Sequence, residues 1–277
     1  MNVQRSALKH ACAMGVSFAL LGPGAVRQAD AATVISSGGY DAFATLYVEG
    51  GGVGEVGEVN AVNETTPGPY SDTSSAPSFQ GSANLDVLVL AISTGLLTAA
   101  ASSPYPPTPT GSATFTVNSL SMTLGAPTAP PLLDLSATSL TGTSSASGIG
   151  PLSTTGSSTL EDLSISGGLI GAPISLPGVV APPANDVLFK TGSTEIIANA
   201  QGGFNTGTDA SMTTIPLEIL FSGGYAPNSL SGEVNFGFSY AAISTAPEPA
   251  AWLETLLGVG LMGAVLRLRR KRVPAPA

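Results

Sequence analysis

The chain is poor in the residues that do most protein chemistry. Its only cysteine is Cys12 and its only histidine is His10, and both lie at the extreme N-terminus. The rest therefore has no disulfide, thiol nucleophile, imidazole base or His/Cys metal ligand. Positive charge is nearly missing as well. Between Ala32 and Ala246 there are 15 Asp and Glu but one basic residue, Lys190. Such a surface repels phosphate backbones, so nucleic acid is excluded as a partner. Charged residues of both signs make up only 10% of the chain. That argues against solvent-exposed helices, which carry Glu and Lys on their outer face. The one tryptophan, Trp252, stands near the C-terminus.

Gly (34), Pro (22), Ser and Thr are abundant instead, a composition of strands and turns. Several segments have the period of two expected of half-buried strands. In Glu233–Tyr240, Val234, Phe236, Phe238 and Tyr240 are expected on one face. Ile215, Leu217, Ile219 and Phe221 repeat the pattern. Ala113, Phe115 and Val117 alternate with polar residues. The apolar phase then slips to Leu120, Met122 and Leu124, which predicts a bulge or strand break near Asn118-Ser119. Leu85–Ile92 is almost continuously apolar and reads as a central strand buried on both faces. Thr194–Ala200 and Ala42–Val48 are further strands. Pro104–Pro109, Pro127–Pro131 and Pro182-Pro183 must be loops, because proline lacks the N–H and fixes φ. No long segment of period 3.6 precedes Ala246. The expectation is an all-β, sandwich-like domain over residues 32–245, with a β-solenoid as the alternative.

The two ends carry targeting patterns. Arg5 and Lys9 precede an apolar stretch, Ala11–Leu21, then Gly22-Pro23-Gly24 and Ala29-Asp30-Ala31. This reads as a signal peptide over residues 1–31, with Ala29 and Ala31 as the small residues of the cleavage site. The apolar core is too short to span a bilayer. At the other end, Pro247-Glu248-Pro249 precedes an apolar stretch, Ala250–Leu266, and the cluster Arg267, Arg269, Arg270, Lys271 and Arg272. Seventeen residues make a helix of about 26 Å, within the range of a single transmembrane helix. The basic cluster would orient it with its end in the cytoplasm, and Trp252 would sit at the outer interface.

This order of parts over residues 246–272, followed by a short tail at 273–277, resembles the PEP-CTERM sorting signal. The resemblance implies recognition by an exosortase, a membrane-embedded cysteine protease, with processing near Pro247-Glu248-Pro249. It also implies a Gram-negative host, an inner-membrane-anchored precursor, and delivery to the cell surface or an exopolysaccharide matrix. Three further segments, Ser158–Ile165, Pro182-Pro183-Ala184-Asn185 and Thr194-Glu195-Ile196-Ile197, resemble the choice-of-anchor ectodomains, the type P form most closely. That resemblance implies an extracellular domain and no activity.

No motif in the middle of the chain points to catalysis. Gly52-Val53-Gly54-Glu55-Val56-Gly57 matches GxGxxG, but no helix follows, and Glu55 and Glu58 would repel a pyrophosphate. Glu161 and Asp162 are the one adjacent acidic pair of note; in a regular strand they would face opposite sides, unlike a glycosidase pair. The other acids are dispersed without calcium-loop spacing. Asn63-Glu64-Thr65 is a formal glycosylation sequon expected in a loop. Ice binding would need regular Thr ranks on a flat face, and Thr141, Thr143, Thr154, Thr155, Thr206 and Thr208 show no such regularity. The expectation is a surface or matrix protein that is no enzyme and has no catalytic residue, metal or cofactor. A carbohydrate-binding adhesin is the alternative.

Overall fold

The computed structural model describes residues 33–49, 53–66, 69–85, 87–106, 108–148, 151–223 and 229–245. These residues fall in one compact unit. They form fifteen strands and no helix: β1 (Thr33–Val48), β2 (Val53–Val59), β3 (Val62–Thr66), β4 (Tyr70–Ala76), β5 (Phe79–Leu85), β6 (Leu88–Thr94), β7 (Leu97–Ser103), β8 (Thr110–Gly125), β9 (Leu133–Ser147), β10 (Ser153–Ser166), β11 (Ile174–Val180), β12 (Asp186–Lys190), β13 (Thr194–Asn205), β14 (Asp209–Ser222) and β15 (Leu230–Thr245). The all-β expectation is met.

The strands make two antiparallel sheets. The first runs β12-β13-β14-β15-β1-β2, with β3 continuing beside β1. The second runs β11-β10-β9-β8-β6-β5, with β7 also on β8 and β4 on β7. Antiparallel neighbours in two sheets replace the solenoid alternative, which would need a repeating coil. The sheets face one another, with β1 and β15 over β8 and β14 over β9 and β10. Leu46, Leu90, Phe115, Met122, Leu135, Leu217 and Phe236 are fully enclosed between them. A second, smaller apolar cluster holds Ile35, Ala146, Leu152, Ala210, Ala241 and Ile243. A buried hydroxyl layer joins the sheets: Ser144 Oγ donates to Thr214 Oγ1 at 3.0 Å and lies 2.8 Å from Ser239 Oγ.

Both sheets are crossed by a line where side-chain alternation reverses. In β15, Leu230, Val234 and Phe236 point inward, but so do Ser239, Ala241 and Ile243 further along. The reversal falls at Gly237, whose φ is 77°. In β14 it falls at Pro216, between inward Thr214 and inward Leu217. In β1 it falls at Asp41, between inward Ser37 and inward Ala42. The pairing is not shifted: Tyr40 faces Phe238 and Ala42 faces Phe236, while Thr214 faces Ser239 and Leu217 faces Phe236. In the second sheet the line passes Ser119 (φ 50°) and Asp162 (φ 50°). At Gly237, Ser119 and Asp162 a residue in the left-handed region turns the strand over, so the following residues exchange faces. Between β14, β15 and β1 the neighbours turn over together and register survives, whereas the β1–β2 and β10–β11 pairings shift at the line, between Ala42 and Ala44 and between Glu161 and Leu163.

This device corrects two sequence expectations. Phe238 and Tyr240 lie on the outer face, opposite to Val234 and Phe236. Ile215 lies opposite to Leu217, Ile219 and Phe221. The slip expected near Ser119 is present, but β8 runs through it without a break. A third expectation fails for another reason. Leu85 and Leu88 face each other as the first pair of a hairpin, so Leu85–Ile92 is two strands; Val87 is 47% exposed. The proline segments 104–109, 127–131 and 182–183 lie between strands, as expected.

Candidate functional site

The residues of the sequence-derived sorting and cleavage sites lie outside the described residues. These are Pro247, Glu248 and Pro249; Arg267, Arg269, Arg270, Lys271 and Arg272; and Ala29 and Ala31. The expected transmembrane helix lies there too. Among the described residues, no helix is long and apolar enough to cross a membrane. Both ends of the strand framework meet, however: Thr33 pairs with Thr245, the last strand residue before the Pro-Glu-Pro triplet.

The acidic and glycine-rich candidates have structural partners. Val53–Val59, which overlaps the GxGxxG match, is a sheet-edge strand that pairs with β1. Asp162 sits at the reversal, so Glu161 and Asp162 share the outer side between inward Leu160 and Leu163. The expectation of opposite faces is thereby overturned. Asp162 accepts from the Gly178 amide at 2.7 Å and from Thr138 Oγ1 at 3.1 Å, and Glu161 accepts from Ser139 Oγ at 2.9 Å. Among the described residues, no group of three or more His, Cys, Asp or Glu could hold a metal ion. Asn63 of the sequon is in β3, not in a loop, and its Oδ1 accepts from the Tyr240 hydroxyl.

The reversal line builds a feature the linear sequence does not display. Because Gly237 turns β15 over, Phe238 and Tyr240 join Tyr40 and Phe43 of β1 on the outer face of the first sheet. Tyr40 stacks on its cross-strand partner Phe238 with ring centroids 4.9 Å apart and planes within 8°. Phe43 extends the row at 6.0 Å from Tyr40, and Tyr240 at 6.2 Å from Phe238. Gly38 faces Tyr240 across the strands; its hydrogen leaves room for that ring, since a Cβ would lie 2.9 Å from Tyr240 Cε1.

The row has an acidic setting. Burial raises the Tyr40 hydroxyl above its ordinary pKa. The Asn235 side chain, hydrogen-bonded to it, opposes that rise, and the charges of Glu233, Glu58 and Glu218 add to it. Glu233 is itself raised, by burial. Asn235 pairs across the strands with Phe43 on one side and Glu218 on the other. It is only 4% exposed, and its Oδ1 has no hydrogen-bond partner. An enclosed acceptor without a donor costs about 1–3 kcal/mol. The sequence itself offers only the triplet Phe238-Ser239-Tyr240 after Gly237; the pairing with Tyr40 arises in the folded sheet.

The outer face of the second sheet has a different character. Register aligns hydroxyls across five strands: Ser75, Thr98, Thr116, Thr141 and Thr159 form one rank. Ser71, Ser102, Ser112, Ser145 and Thr155 form another. Thr141 and Thr155 thus fall into regular ranks, contrary to the sequence expectation, because regularity arises between strands. The hydroxyls bond to one another, as in Thr143–Ser157 at 2.8 Å and Ser145–Thr155 at 2.7 Å. They keep a wide face wet with little charge. A shallow groove of about 320 Å³ opens beside Phe204, Met212 and Thr154.

No protein-family model matches the chain, and no curated protein matches it. Among solved structures, the chain has a distant likeness to Neisserial surface protein A (NspA). The identity is 10%, with 77% of this chain and 97% of that chain covered, at a TM-score of 0.15. Neither fold nor function is argued from that likeness.

Proposed function

We propose that the chain is an exported, non-catalytic surface or exopolysaccharide-matrix protein of a Gram-negative bacterium, sorted by an exosortase through its C-terminal tail. The observation that carries this reading is the order Pro247-Glu248-Pro249, apolar Ala250–Leu266, then the basic residues from Arg267 to Arg272, in a chain whose first 31 residues have the pattern of a signal peptide. The meeting of Thr33 and Thr245 at one end of the strands supports it, since a single tether then leaves the rest of the domain free.

Changing Pro247-Glu248-Pro249 to Ala-Ala-Ala tests the reading. Insertion depends on the apolar stretch and the arginines, which the change leaves intact. Protease recognition depends on a segment that two prolines hold extended. The variant should be exported, yet accumulate in the membrane fraction as a form larger by about 30 residues, the length of the tail. Maturation like that of the wild type would make the tail an ordinary anchor.

A second reading, a carbohydrate-binding adhesin, is favoured by one observation, the row of Phe43, Tyr40, Phe238 and Tyr240. Sugar sites combine aromatic rings with a few polar groups, and this row supplies rings despite the lack of tryptophan among residues 32–245.

A further inference from the structure

We infer that the groove beside Phe204 binds a neutral saccharide with equatorial hydroxyls, such as a chain of β-linked glucose rings. The groove shares no residue with the Phe43–Tyr40–Phe238–Tyr240 row, so it is a second site. It lies where the two sheets run past their outermost strands. β11 pairs with β10 only from Leu160 onward, and β12 pairs with β13 only through Ala198. Thr154 of β10 and residues 201–205 of β13 therefore have a strand on one side only, and the gap between the sheets opens there. Gly156 keeps the walls close, since a Cβ on it would lie 3.1 Å from both Gln201 Cδ and Met212 Sδ. Gly202 and Gly203 add no side chain, and the Phe204 ring beside them is 57% exposed.

The polar groups of the groove are held in place and keep hydrogen-bonding capacity. Gln201 Nε2 donates both its hydrogens, to Gly156 O and to Asn199 Oδ1, each at 2.9 Å, so toward a ligand its side chain can only accept. Asn205 Nδ2 donates to Leu152 O at 2.6 Å, and its Oδ1 accepts from the Gly207 amide at 3.0 Å, which leaves one amide hydrogen to give. Thr154 adds a hydroxyl that does either. This set suits ligand hydroxyls, which also both donate and accept. Among the described residues, none that lines the groove is charged, so a charged ligand would lose water without gaining a counter-charge. A wholly apolar ligand would strand the amides. An added peptide strand would find Gly156 O and Leu152 O already taken, and the Gln201 backbone amide bonded to Asn185 Oδ1 at 2.8 Å. A ring with equatorial hydroxyls meets both demands. Its C–H faces are bare to pack on Phe204, and its hydroxyls point round the edge toward the amides. At about 320 Å³ the groove is at the small end of ligand sites, about 300–1,000 Å³, and so takes a short stretch of chain.

The test is calorimetric titration of the exported protein, as recovered from cells, with cellotetraose. The β-linked tetramers of glucosamine and of glucuronate serve as charged comparisons. Cellotetraose should bind, with an affinity that added salt leaves unchanged. Phe204→Ala should weaken it about tenfold, for a lost ring contact, and the isosteric Thr154→Val about fivefold, for a lost hydrogen bond. Phe238→Ala, in the aromatic row, should leave it unchanged. Thermal unfolding of each variant separates lost binding from lost fold, and Thr154→Val keeps the test valid if Phe204→Ala does not fold. If binding depends on Phe238 and not on Phe204, the row is the saccharide site, and the inference fails while the adhesin reading stands. If a charged tetramer binds more tightly than cellotetraose and depends on Phe204, the requirement for a neutral ligand is overturned. If cellotetraose does not bind, the inference fails outright.

Discussion

The ring of Phe115 lies directly on the backbone of Gly237. A Cβ built on Gly237 would sit 1.7 Å from Phe115 Cε2. Phe115 belongs to β8 and Gly237 to β15, so this contact sets how closely the two sheets approach. Gly142 of β9 leaves room for the same ring, with a Cβ there 2.6 Å from it. Gly237 also has φ 77° and marks the reversal that turns Phe238 and Tyr240 outward.

Gly237→Ala therefore meets two obstacles, a left-handed backbone and a rigid ring. Overpacking and strain each cost about 1–3 kcal/mol. The variant should melt well below the wild type when followed by circular dichroism, and unmoved melting would show that Phe115 is free to shift.

Asp41 gives a pH dependence with a definite sign. It is fully buried; Asn60 donates to its Oδ2, and its Oδ1 has no partner. Burial raises its pKa from 3.8 to about 7, against the opposing Asn60 bond. The folded state thus holds this proton where the unfolded state has released it. The stabilisation is full below about pH 4 and is lost as pH rises through about 7. Urea unfolding at pH 5 and pH 8 should show a loss of stability at the higher pH that Asp41→Asn largely removes. An equal loss in the variant would assign the effect to other groups.

The hydroxyl layer in the core should behave as a unit. Ser144→Ala leaves the buried Thr214 Oγ1 and Ser239 side chain short of a partner, at a cost of about 1–3 kcal/mol. Thr214→Val in the same chain removes one orphaned group, so the double variant should be more stable than the two single losses added together. Strict additivity in denaturant unfolding would count against coupling.

Much of the strand framework was legible in the sequence because alternation and proline placement are local properties. Ala113–Val117 and Leu120–Leu124 announced both a strand and its slip, since six apolar residues recorded the change of face. In Glu233–Tyr240 the same event was invisible. Phe236, Phe238 and Tyr240 are all apolar enough for a core, so the pattern continued across Gly237 while the chain turned over. Leu85–Ile92 misled for a related reason: a hairpin between two apolar strands resembles one long apolar run.

The sequence by itself determined the all-β class. It also determined the lack of cysteine and histidine beyond residue 12 and the acidic character of residues 32–246, because these follow from composition and short-range sterics. Only the tertiary structure decided which face each half-strand shows, because left-handed residues reverse alternation and neighbouring strands must reverse with them to keep their hydrogen bonds. The same long-range pairing aligned the hydroxyl ranks and brought Tyr40 against Phe238, residues that are far apart along the chain and meet only where β1 pairs with β15.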